Sequence, residues 1–172
     1  MHLPAARLLR LAAPIAVVAA LVAAPRAAHA QFRASAYGGV EHLRSDGQGY
    51  TLVQYRGEAT FGFLPWFHAG AYAQGLSPTF DGKLGWGAGA VAAFRPALPG
   101  TPIDPMAFAT LGYQSAPTGT GLRNALTVEL GVGLVWHAFT VLDLELRGTY
   151  VGLTGSSGLN GFAIAAGLSL HL

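Results

Sequence analysis

The chain has 172 residues, of which 52% are hydrophobic and only 10% charged, and it contains no cysteine. An ordinary soluble domain carries about a quarter charged residues, so this chain has little with which to cover a wet surface. The lack of cysteine excludes a disulfide framework, thiolate chemistry and a lipid-modified cysteine.

Residues 1–30 read as an export signal. Arg7 and Arg10 precede the apolar run LAAPIAVVAALVAA, and Ala28-His29-Ala30 is a small-x-small cleavage site that leaves Gln31 as the mature start. Pro14 and Pro25 interrupt the stretch, and no apolar run reaches the roughly 18 residues of a transmembrane helix. Arg7, Arg10 and Arg26 leave with the signal. Residues 31–172 then hold seven basic and eight acidic side chains, so no basic patch for nucleic acid remains.

From there, alternation with period 2 recurs eight times, at about 32–43, 50–63, 66–75, 84–95, 106–114, 124–137, 140–151 and 160–172. Turn-forming clusters such as RSDGQG, SPTFDGK, SAPTGTG and TGSSG separate the runs. In the second run Val53, Tyr55, Ala59, Phe61 and Phe63 share one face, and Gln54, Arg56, Glu58 and Thr60 share the other. The fourth sets Leu84, Trp86 and Phe94 against Gly85, Gly87 and Gly89. The sixth sets Leu126, Val128, Leu130, Val132, Leu134 and Trp136 against Thr127, Glu129, Gly131 and Gly133. In the seventh, Leu142, Leu144 and Leu146 oppose Asp143, Glu145 and Arg147. Prolines 65, 78, 96, 99, 102, 105 and 117 are expected between or at the ends of strands, because a proline cannot donate to a ladder. This is a single all-β domain.

Charge placement decides which face is which. Arg44, Asp46, Asp81, Lys83, Asp104 and Arg123 fall in the expected connections. The other nine charges after the signal all lie on the glycine-rich polar parity: Arg33, Glu41, Arg56, Glu58, Arg95, Glu129, Asp143, Glu145 and Arg147. Bulky apolar residues outside and small or polar ones inside are the pattern of a transmembrane β-barrel, whose closure satisfies every backbone group in hydrocarbon. With the start of the first strand in the periplasm, Phe32, Phe61, Phe63, Phe67, Phe94 and Trp136 gather at one rim and Trp86, Tyr113, Tyr150 and Phe162 at the other. Such aromatic girdles flank the apolar band of these barrels.

The last run, AAGLSLHL, ends in Gly167-x-x-Leu170-x-Leu172. It resembles the C-terminal signal of outer-membrane barrel proteins, with leucine where phenylalanine is usual. Residues 31–172 as a whole resemble the small eight-stranded outer-membrane β-barrel proteins, the OmpA transmembrane domain and OmpX-like group. The resemblance implies an eight-stranded antiparallel up-and-down barrel in the outer membrane, with outer-membrane lipid and, through the last strand, the barrel-assembly machinery as partners. It departs in one place: the longest connection, 96–105, falls on the periplasmic side, where turns are normally short.

The residues advertise no catalysis, cofactor or metal. A hydrolase needs a base beside a nucleophile and an orienting carboxylate. No His-x-Ser of the lipid A deacylase type follows the signal, and His42, Ser45 and Asp46 are neighbours in a polar turn. His68, His137 and His171 point inward but come from different strands. The reading is a non-enzymatic barrel with a structural or surface-interaction role. A narrow conduit for small or hydrophobic solutes, as in OmpW-like barrels, is the alternative, and a lipid A-modifying enzyme a more distant one. The lumen is expected to be closed by Arg56, Glu58, Glu129, Glu145 and Arg147, since a barrel of this size is only wide enough for side chains to fill. N-terminal sequencing of the outer-membrane fraction should find Gln31; finding Met1, or a soluble product, would contradict the export reading.

Overall fold

A computed structural model describes residues 32–45, 47–80, 82–154 and 158–171. Residues 1–31, where the export signal is expected, and residues 46, 81, 155–157 and 172 lie outside the described residues. Eight strands run in chain order: β1 Phe32–Ser45, β2 Gln48–Leu64, β3 Phe67–Pro78, β4 Gly85–Phe94, β5 Ile103–Thr118, β6 Gly121–Trp136, β7 Leu142–Thr154 and β8 Asn160–His171. Each pairs antiparallel with its neighbours in sequence, and β1 pairs with β8 from Arg33↔His171 to Arg44↔Asn160, which closes the barrel. The end holding Phe32 and His171 is called the near end below, and the opposite one the far end.

Closure leaves two faces, and the pleat sends successive side chains to alternate ones. All nine charges on the polar parity are buried inside, and the leucines of β6, with Leu142, Leu144 and Leu146 of β7, lie on the outward parity. Leu130 is 58% exposed and Ile164 67%, whereas Glu129, next to Leu130 in sequence, is 1% exposed. An exterior that apolar is unsuited to water and matched to hydrocarbon. The aromatic pairs Phe61–Phe63 and Trp66–Phe94 sit toward the near end, and Trp86–Tyr113 and Tyr150–Phe162 toward the far end.

Several boundaries differ from the periodicity. The fifth strand runs from Ile103 to Thr118, rather than 106–114, and takes in Pro105 and Pro117. Both are tolerated because β4 is shorter than its neighbour. The β4–β5 ladder spans only Trp86↔Ser115 to Phe94↔Ala107, so the two prolines lie where β5 is bonded to β6 alone. Pro78 ends β3 beyond the last β3–β4 pair, Leu76↔Gly85, for the same reason. The near-end connection therefore shortens to residues 95–102, and Asp104, expected in it, is a buried strand residue.

The interior is also not polar throughout. At the far end Leu43, Leu52, Leu76, Val151, Leu153 and Leu159 form an apolar cluster inside the barrel, with Tyr50 and Phe80 packed against it. Only the near and middle parts of the lumen carry charge.

Charge should be costly outside and small changes mild inside. Leu130→Arg and Ile164→Arg should each lose about 2–4 kcal/mol in equilibrium unfolding from lipid vesicles, while Thr127→Ser should be nearly neutral. Equal tolerance on both faces would mean that the barrel is not embedded in hydrocarbon.

Candidate functional site

Within the lumen the charges form one alternating chain. Glu129 of β6 accepts from Arg56 of β2 at 2.5 Å (Nη1 to Oε2), and Arg56 Nε donates to Glu58 Oε1 at 2.8 Å. The same Glu58 oxygen accepts from Arg147 Nη1 of β7 at 2.7 Å. Arg147 Nη2 in turn donates to Glu145 Oε2 at 3.0 Å. Thus Glu129, Arg56, Glu58, Arg147 and Glu145, taken from three strands, stand next to one another in that order. Beyond Glu145 the chain continues to Arg95 at 2.8 Å and Arg33 at 3.7 Å. Arg33 pairs with Asp143, and His137 lies between Asp143 and Asp104.

Alternation of sign is what makes this burial tolerable. A carboxylate or guanidinium taken out of water costs several kcal/mol, which is offset only when good geometry and further hydrogen bonds surround it. Three aromatic rings supply part of that surround. Arg147 lies over Tyr37, 3.9 Å from the ring centroid, and over Phe108 at 4.8 Å, and Arg56 lies over Tyr72 at 3.8 Å. Such cation–π contacts contribute about 2 kcal/mol or more when desolvated. The Tyr37 hydroxyl also donates to Glu145 at 2.8 Å and contacts Arg147.

Glycines make the space. A Cβ at Gly167 would collide with the Tyr37 ring, and one at Gly131 with the Phe108 ring. The rings press against bare backbone, and Arg147 lies over both. Two of the inward glycines evident in the sequence, Gly131 and Gly167, are thus seats for inward aromatics.

Toward the far end three glutamine amides and the Glu41 carboxyl form a ring. Gln54 Nε2 donates to Gln74 Oε1 at 2.8 Å, Gln74 Nε2 to Gln114 Oε1 at 3.0 Å, and Gln114 Nε2 to Glu41 Oε1 at 2.9 Å. A longer contact of 3.5 Å from Gln54 to the other Glu41 oxygen closes the ring. Four strands, β1, β2, β3 and β5, are tied across the lumen at this level. Above it sits the apolar cluster of Leu43, Leu52 and Leu76.

The lumen is therefore filled in layers, and one internal cavity between Tyr37, Gln54, Arg56, Phe108, Glu129 and Arg147 has a volume of about 10 Å³. That is about the size of one water-sized probe. Arg56 Nη2, Glu58 Oε2 and Glu129 Oε1 are buried without a hydrogen-bond partner among the described residues, and the side chains of Arg56 and Glu129 line that cavity.

Reasoning from parity found the charges but not what surrounds them. Gln54 lies on the expected inward face; Gln74 and Gln114 belong to the two strands with the weakest alternation. Tyr37, Tyr72 and Phe108 share inward parity with the charges and could have been found by that signal. Of the three inward histidines, two meet one carboxylate: His137 lies 2.8 Å from Asp143, and His171 approaches it at 3.4 Å. No group of three or more His, Cys, Asp or Glu suited to a metal ion occurs among the described residues. The Nδ1 atom of His42 is paired with Thr51 Oγ1 at 3.0 Å; Asp46 and the side chain of Ser45 lie outside what is described.

No protein-family model matches the sequence, and no curated protein matches it. Solved structures do match its fold. Neisserial surface protein A (NspA) aligns with a TM-score of 0.67 at 14% identity, over 81% of this chain and 96% of that one. The N-terminal β-barrel domain of Pseudomonas aeruginosa OprF gives 0.61 at 12% identity, over 83% and 97%. The outer membrane enzyme PagL gives 0.51 at 14% identity, over 77% and 97%. At these identities the likeness is one of architecture, and proteins with and without an enzyme's description share it. The chain has the fold of the small eight-stranded outer-membrane barrels.

Proposed function

We propose that this chain is an integral outer-membrane protein, exported by residues 1–30 and cleaved after Ala30, that acts as a non-enzymatic scaffold with a closed lumen. Its role is structural, or is carried by the surface that the barrel presents, and the last strand engages the barrel-assembly machinery. The near end faces the periplasm in this reading. The exterior supports residence in lipid, because a belt of exposed leucine, valine and aromatic side chains surrounds a closed ladder.

One observation carries the closed lumen: the interior is crossed by side-chain bonds at successive levels. Ion pairs join β2 to β6 and β7, amides join β1, β2, β3 and β5, and an apolar cluster caps the far end. A pore lining selects ions by presenting one sign. Here carboxylates and guanidiniums alternate and bond to each other.

Planar-bilayer recording tests the closure. The intact protein should be silent, and Arg147→Ala should be silent as well, because the amide ring and the apolar cap still cross the lumen. Combining Arg147→Ala with Gln114→Ala and Leu52→Ala should open reproducible conductance, with heat-dependent gel mobility confirming that the barrel is folded. Stable channels from the intact protein would refute a closed lumen and favour a conduit.

A further inference from the structure

The near end carries a cluster whose geometry demands a particular protonation state. His137 stands in the connection between β6 and β7 with its side chain 37% exposed. Each ring nitrogen meets a carboxylate: Nδ1 lies 2.8 Å from Asp143 Oδ1, and Nε2 lies 2.7 Å from Asp104 Oδ2. An ionised carboxylate only accepts, and a neutral imidazole has one N–H to give. With one proton on the ring, one of the two contacts would set a nitrogen lone pair against a carboxylate oxygen. With Asp104 and Asp143 both ionised, both contacts are hydrogen bonds only when both nitrogens are protonated.

The same groups tie several segments together. Asp104 of β5 accepts from the Leu98 amide in the β4–β5 connection at 2.8 Å, and the His137 amide donates to Pro102 O at 2.9 Å. Asp143 of β7 is shared with Arg33 of β1. The imidazole lines a cavity of about 210 Å³, together with Arg33, His68, Arg95 and Asp104 among others.

We propose that His137 is a proton-operated latch: its doubly protonated ring fastens the β4–β5 and β6–β7 connections across the mouth of this cavity, and loss of one proton releases Asp104 or Asp143 and opens it.

The charged groups around the ring come from every side. Arg33 of β1 and Arg95 after β4 oppose a second proton, but both are engaged by Glu145, and Arg33 also by Asp143. His68 of β3 lines the same cavity, and His171 of β8 approaches Asp143 at 3.4 Å. Asp104 bonds to the Leu98 amide and to His137, and no arginine among the described residues contacts it at hydrogen-bond distance. Burial by itself lowers the His137 pKa; the hydrogen bonds from Asp104 and Asp143 outweigh it and hold the pKa above its ordinary 6.5. A group raised in the folded state stabilises that state fully below its unfolded value, and the effect is lost as pH rises through the folded value. The latch is therefore shut in mild acid and opens toward alkaline pH.

Imidazole and amide nitrogen NMR of the intact protein in detergent micelles, followed through pH, tests this. Both His137 ring nitrogens should be protonated well below 6.5, with a midpoint above 6.5, and the Leu98 amide should shift with that same midpoint. Asp104→Asn should lower the midpoint. His137→Gln should leave the strand amides in place and abolish the pH-dependent shift of Leu98. A native ring that titrates at or below 6.5, or a Leu98 amide indifferent to the His137 titration, would overturn the latch.

Discussion

Arg147 cannot be solvated where it lies. Its side chain is 4% exposed, held over the rings of Tyr37 and Phe108, and the carboxylates it meets, Glu58 and Glu145, are themselves buried. Removing one partner of such a buried pair costs about 3–5 kcal/mol, because the charge left behind has no compensation. Every other feature of the lumen follows from having to satisfy this cation and its neighbours inside a tube of eight strands. The carboxylates on either side bind further arginines, so the sign alternates from Glu129 to Asp143. Backbone left bare by Gly167 and Gly131 seats the rings. A larger residue at either glycine would displace an aromatic ring, and through it the guanidinium.

The exterior answers a different demand. Lipid offers no hydrogen bonds, so the ladder has to close on itself and the outward parity has to be apolar. The two demands meet in each strand, where one residue faces hydrocarbon and the next faces a charge network. A register slip of one residue would invert both faces at once, which is why the pairing from Phe32↔Phe61 to Ser45↔Gln48 admits no neighbouring alternative. Where β5 outruns β4 that pressure relaxes, and there prolines enter the strand.

The strand count, the parity and the buried charges were legible because period 2 offers only two faces, and a charge on the wrong one is conspicuous. Arg56, Glu58, Glu129, Glu145 and Arg147 could be named for that reason. Their order in space could not, since it depends on register between β2, β6 and β7. The amide ring was hidden by chemistry: Gln74 and Gln114 are neutral, the outward residues of β3 are largely alanine and glycine, and β5 mixes Ala107 and Ala109 with Leu111 and Tyr113. Asp104 was misplaced because Pro99, Pro102 and Pro105 surround it, and proline marks a loop unless the neighbouring strand is known to be short. The apolar cap was missed for the opposite reason. Leu43, Leu52 and Leu76 share inward parity with charges, and a pattern of polar-in, apolar-out has no place for them until the far end is seen to be sealed like a small soluble core.

Whether water threads the barrel is the question on which the closed lumen stands, and the guanidinium protons report it directly. Hydrogen exchange at the Arg56 and Arg147 side chains can be followed by nitrogen-resolved NMR of the folded protein at neutral pH. Side-chain layers that cross the lumen predict separate, slowly exchanging N–H signals for the two buried guanidiniums, in contrast to the exposed Arg44. Exchange at Arg56 and Arg147 as fast as at Arg44 would mean a continuous water path, and would contradict the closed lumen.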